Sequence, residues 1–160
     1  MTDGGRQLQA AAAAIRDRDV DALEDAFERL RDDPPAGPRL RTIDRAAREL
    51  RRAAFLVRSM DLDTCDKRAS RLADVFSERF VPLRADVGDL DRDASQLTEG
   101  LHALFEATDV PGSSASMRRY REIVVGGDGG LAGELRAAIV EHARAWNVVL
   151  AACGTLPSAA

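Results

Sequence analysis

The sequence predicts an all-α fold, an up-and-down antiparallel helical bundle of five to seven helices in a single domain over residues 1–160. Three observations predict it. Apolar residues recur at steps of three and four along most of the chain, the spacing of one helix face. Apolar side chains make up 45% of the residues but aromatics only 4%. The core must then come from Ala, Leu and Val, which suits close-packed helices better than the branched and aromatic faces of a sheet. No segment reads as a long strand, and short connections between helices favour antiparallel neighbours.

Residues 6–17 place Leu8, Ala11, Ala12 and Ile15 on one face. Asp19 suits the N-cap of a second segment carrying Val20, Leu23, Phe27 and Leu30, and the two are read as one nearly continuous helix. "DDPPAGP", residues 32–38, ends it as a proline-rich loop, because proline cannot donate to a helix and pushes its predecessor away from helical angles. The next helix, about 39–60, has a stripe of Leu40, Ile43, Ala47, Leu50, Ala54 and Val57. Within it "AAFLV", residues 53–57, is apolar over more than one face, as in a central or interfacial helix. "MDLDTCD" breaks the pattern, with Asp63 as N-cap and Asp66 at the capping-box position. Leu72, Val75, Phe76 and Phe80 line a helix expected to stop near Pro82.

Leu83, Val87, Leu90, Ala94, Leu97, Leu101 and Leu104 alternate steps of four and three. That heptad pattern packs knobs into holes, against helices of the same chain or of another copy, and so points to a coiled-coil seam. "DVPGSSAS" is a loop ending in a serine N-cap, followed by a short helix at about 115–125. Leu131, Leu135, Ala138, Ile139, His142, Trp146 and Val149 mark a last helix to about residue 152. Residues 1–5 and 154–160 are expected to fray.

The net charge of -4 gives no general attraction to nucleic acid or anionic membranes. No segment approaches the roughly 20 apolar residues that span a bilayer. Ala10–Ala14 is too short for a secretory apolar region and runs straight into Arg16, Asp17, Arg18 and Asp19. Two cysteines, Cys65 and Cys153, make no disulfide framework and read as small buried thiols in a reducing interior. A cytoplasmic location without membrane contact follows as the expectation.

One stretch looks like chemistry: "IVVGGDGGLAGEL", residues 123–135. "VVGGDGGL" resembles the glycine-rich "GGDGT" signature of the diacylglycerol kinase and NAD kinase superfamily. The resemblance implies a strand at Ile123, Val124 and Val125, a phosphate-cradling turn at Gly126, Gly127, Asp128 and Gly129, and a helix carrying Leu131 and Glu134. Backbone N–H groups of such a turn and a helix N-terminus favour anions. Against it, Gly130 stands where that family has a hydroxyl residue. No sheet is predicted upstream, and a lone strand leaves its hydrogen-bonding groups without partners. About thirty residues remain downstream, where that family needs a large domain. The competing reading ends one helix at Val125, turns through a left-handed Gly126 or Gly127 and caps the next helix with Asp128. We adopt that reading.

Other patterns are incomplete. Glu99 and His102 form an E-x-x-H step, but di-iron bundles need two such steps and further glutamates. Ile139 stands where His142 would need its glutamate. Cys65, His102, His142 and Cys153 lack the close pair usual in a zinc site. His102 also lacks the lysine and glycine that follow the histidine of phosphotransfer domains, having Phe105 and Glu106 instead. The sequence therefore implies no metal, cofactor or catalytic residue.

Arginine is the remaining feature. Arg41, Arg45, Arg48 and Arg52 recur at four, three and four, forming one ridge, with Arg51 and Arg58 on neighbouring faces. "MRRYR" adds Arg118, Arg119 and Arg121 around Tyr120. Such clusters follow a phosphate backbone, bind a protein, or pair with neighbouring helices, for which Asp86, Asp89, Asp91 and Asp93 are available. The leading expectation is a non-enzymatic adaptor acting through protein–protein contacts and self-association. Alternatives are a nucleic-acid accessory protein using the ridge and a small phosphate-binding protein or enzyme centred on Asp128.

Overall fold

The computed structural model describes residues 4–32, 36–60, 71, 74–108 and 114–154, and among them there is helix and turn but no strand. Among the described residues six α-helices follow one another: α1 (Gly4–Asp17), α2 (Val20–Asp32), α3 (Ala36–Arg58), α4 (Val81–Ala107), α5 (Ala115–Val125) and α6 (Leu131–Ala152). The all-α bundle is as expected. Asp63, Cys65 and Asp66 lie outside the described residues.

The first two segments are two helices, not one. Arg18 adopts φ 56°, the left-handed region that costs an ordinary side chain about 1–2 kcal/mol. Two bonds hold it there: Asp19 N–H donates to Ala14 O at 2.9 Å, and Ala22 N–H donates to Asp19 Oδ1 at 3.0 Å. The Asp19 cap expected from sequence is therefore present, and it begins a separate helix. Gly4 and Gly5, expected to fray, open α1 and are buried. α3 begins at Ala36 rather than 39; Pro38 sits in its first turn, where a missing N–H costs nothing.

The helix before Pro82 does not stop there. Helical backbone runs unbroken from Asp74 to Ala107, and Phe76–Phe80 takes the wider π winding, with Val81 N–H donating to Phe76 O. This i→i−5 turn lets the chain pass proline without the α-helical clash.

Two helix pairings make the body of the molecule: α1 against α4, and α3 against α6. Leu8, Ile43, Ala47, Ala94, Leu97 and Leu135 meet in one core shared by all four. Ala54, Val57, Trp146, Val149 and Leu150 form a second core beside Phe76 and Phe80. α3 and α6 run in the same direction: Arg51 pairs with Glu134 and, seven residues on, Arg58 pairs with Glu141. α4 runs the other way, since Asp91 meets Arg136 while Phe80 meets Trp146. The heptad seam is used within the chain. Ala94 and Leu97 are buried, and Leu90, Leu101 and Leu104 pack on the four-helix core, whereas Leu83 is 48% exposed.

No helix among the described residues is long and apolar enough to cross a membrane.

Candidate functional site

The arginine ridge lies on the outward face of α3. Its inward face buries Ile43, Ala47, Ala54 and Val57. Arg41, Arg45, Arg48 and Arg52 stand opposite and are exposed. Arg48 pairs with Asp44 on its own helix at 2.5 Å, while Arg41, Arg45 and Arg52 make no salt bridge among the described residues. Phe55 and Leu56 continue the face and are 63% and 57% exposed. Pairing of the ridge with the aspartates of α4 is not what forms. α3 packs on α6, and its flanking arginines Arg51 and Arg58 take Glu134 and Glu141 there. Asp91 and Asp89 instead pair with Arg136 and Arg92. The second cluster is separate. It lies on α5, where Arg121 pairs with Glu106 and sits 6.0 Å from the Phe105 ring centroid.

The glycine-rich stretch is a link between helices. Ser114 caps α5 by accepting from Met117 N–H at 3.2 Å. α5 ends at Val125, and Gly127 supplies the left-handed angle, φ 63°. Residues 127–129 form one 3-10 turn. Asp128 does not cap α6; Gly130 is the N-cap and no side chain bonds the helix end. The Asp128 carbonyl lies against Gly133 so closely that a Cβ there would stand 2.4 Å from it. A backbone acceptor therefore occupies the approach to the first turn of α6, where a phosphate would have to sit. Val124 is buried in the bundle as a helical residue, not as part of a sheet.

The structure does bring two incomplete motifs together. Glu99 and His102 on α4, and Asp128 in the turn, line one open cleft of about 890 Å³ between α4, α5 and α6. Val124, Ala137, Val140 and Val148 give it an apolar floor, and Arg136 and Arg144 stand on its rim. Arg136 is held by Asp91 at 3.0 Å and by the Ser95 hydroxyl. Glu99 and His102 are exposed and belong to one helix, so this is a charged lip over an apolar trough. Among the described residues no three His, Cys, Asp or Glu side chains cluster to hold a metal ion.

Residues 6–157 match a protein family described as "Protein of unknown function (DUF3080)". The chain belongs to this family. No curated protein and no solved structure matches it. The family match covers all six helices except Gly4 and Gly5 at the start of α1, so the ridge and the cleft both lie within the matched region.

His142 and Cys153 lie elsewhere. His142 packs against Phe80 with ring centroids 5.4 Å apart, and Phe80 and Phe76 pack on Trp146 at 4.7 and 5.5 Å. Burial holds the His142 imidazole below its ordinary pKa of 6.5. His142 Nδ1 and Trp146 Nε1 are buried without a hydrogen-bond partner among the described residues. Cys153 at the end of α6 is disulfide-bonded, not the thiol expected; the sequence holds one other cysteine, Cys65. A disulfide sulfur supplies no thiolate for zinc, which removes the four-residue zinc site.

Proposed function

We propose that the protein is a non-enzymatic adaptor that works through protein–protein contacts, self-association among them, and that the outward face of α3 is its docking surface. One observation carries this reading. The arginines of α3 that face a neighbouring helix are engaged by glutamates, while Arg41, Arg45 and Arg52 are exposed and unpaired among the described residues, beside two bare apolar side chains. Arginine and aromatic residues together are the composition of interface centres. An acidic protein surface with an apolar strip is the partner chemistry that fits.

The test is site-specific photocrosslinking in the native host, with the photoreactive residue at Phe55 or, separately, at Glu99 in the cleft. A discrete protein adduct at Phe55 and none at Glu99 is the expected result. An adduct confined to Glu99 moves the docking site to the cleft, and no adduct at either position overturns the reading.

The disulfide at Cys153 supports an oxidising compartment over the reducing cytoplasm expected from sequence, since structural disulfides persist where thiols are not kept reduced. Alkylation of the protein in freshly lysed cells, without reductant, reads this directly. Blocked cysteines fit the oxidising compartment; two modified thiols return the protein to the cytoplasm.

A further inference from the structure

α2 is lightly covered. Its main contact is with α1, and Leu30 near its end packs on the four-helix core. Ala26 is its one buried residue, with Leu23 and Leu30 half-buried on the same side. On the opposite side Asp21, Asp25, Glu28 and Asp32 form an exposed ridge at steps of four, three and four. Those are the steps of Arg41, Arg45, Arg48 and Arg52 on the outward face of α3. The flanking charges are reversed in the same way. Arg29 and Arg31 flank the acidic ridge, and Asp44 and Glu49 flank the basic one.

Apolar side chains complete the match. Val20, 65% exposed, stands at the start of the acidic ridge, as Phe55 and Leu56 stand at the end of the basic one. Among the described residues, ion pairing within the ridges is confined to Glu28–Arg31 and Arg48–Asp44, each on a single exposed helix face. Pairs of that kind contribute little and exchange readily.

We infer that the α3 face docks a second copy of this chain, with the acidic ridge of α2 laid along the arginine ridge of its partner, reciprocally, in a twofold dimer. The inference rests on the α3 face being a docking surface. The two helices run antiparallel in the contact, because only that direction brings Val20, just before Asp21, to Phe55 and Leu56, just beyond Arg52. Asp21 then faces Arg52, Asp25 faces Arg48, Glu28 faces Arg45 and Asp32 faces Arg41. Each chain offers one ridge of each sign, so a twofold axis satisfies both ridges at once and closes the assembly at two. The charges fix direction and register, and the apolar flanks supply the burial.

Sedimentation of the full chain tests it at about 10 µM, the range in which a modest interface is populated. Three forms are compared: the native chain, the R45E/R48E variant, and the D25R/E28R variant, each checked for helical content by circular dichroism. The native chain sediments as a dimer that loosens with salt, and each variant alone as a monomer. An equimolar mixture of the two variants dimerises again, because the acidic α2 of one meets the unchanged arginines of the other, and the new acidic α3 meets the new basic α2. That rescue also shows that both variants are folded. A monomeric native chain, variants that dimerise like it, or a mixture that stays monomeric each overturn the inference. So does loss of the dimer in R45E/R48E without loss in D25R/E28R, which assigns the ridge to some other acidic partner. Salt-sensitive retention on a short DNA or RNA duplex by a monomeric native chain, lost in R45E/R48E, overturns it in favour of a phosphate backbone. Crosslinking at Phe55 to a different protein, with a monomeric native chain, leaves the adaptor reading intact and removes only the dimer.

Discussion

The α1–α4 contact and the far end of the α3–α6 contact bury apolar surface by opposite means. Where α1 crosses α4, the chain uses almost no side chain: Gly5 and Gly100 bring the backbones together, with Ala11, Ala12 and Ala94 fully buried around them. At the end of α6, large rings fill the space, Trp146 lying under Phe76 and Phe80. The first contact gains dispersion from close approach and has nothing that can yield. The second gains area, and a ring that is lost takes its whole buried area with it.

The largest effect is therefore expected at the ringed end. Trp146→Ala removes the side chain that joins α6 to the π turn and is expected to cost about 3–5 kcal/mol, read from urea unfolding. Gly100→Ala comes next. Its new Cβ would stand 2.5 Å from Gly5 O and 2.9 Å from Leu8 Cβ, so the helices must separate, at about 1–3 kcal/mol. The same change at Gly129, which has nothing within 4 Å, is expected to stay within about 0.5 kcal/mol. If Gly100→Ala proves as mild as Gly129→Ala, the crossing is not tight and the contrast fails. Ser114→Ala, away from both regions, removes the α5 cap and costs about 1 kcal/mol.

The smallest effect belongs to His142, at the border of the ringed end. Its folded pKa lies below 6.5, so the unfolded chain takes up this proton first as the pH falls. Its contribution to stability is intact above pH 6.5 and is lost as the pH drops from there through the lowered folded-state value. Unfolding midpoints measured from neutral to mildly acid pH should fall less steeply in His142→Gln than in the native chain. Equal slopes would mean that the ring is not held neutral by burial.

Much of this fold was legible from spacing, and the misses have local causes. Leu90, Ala94, Leu97, Leu101 and Leu104 pointed to a seam, and they make one within the chain. Arg18 gave no warning of a break, because arginine has no preference for left-handed angles; the bond from Asp19 N–H to Ala14 O decides it. Pro82 signalled a stop under rules that assume α winding, and the π turn evades them. At the surface, the ridge on α3 was readable as a ridge, but whether it pairs depends on which helix packs alongside. The sequence offered the aspartates of α4, and the fold supplies Glu134 and Glu141 of α6 to the flanking arginines instead. The cleft was not legible at all. His102 and Asp128 are far apart in the chain, and only the reversal through α5 places them on one trough.

The π winding at Phe76–Phe80 amounts to one residue more than a regular helix of that length would hold. Deleting a single residue there would restore ordinary winding and remove the wide turn on which Phe76 and Phe80 are carried. The phasing of that aromatic pair against Trp146 is thus written in the residue count, and a chain one unit shorter at this point would have to present different side chains to the indole.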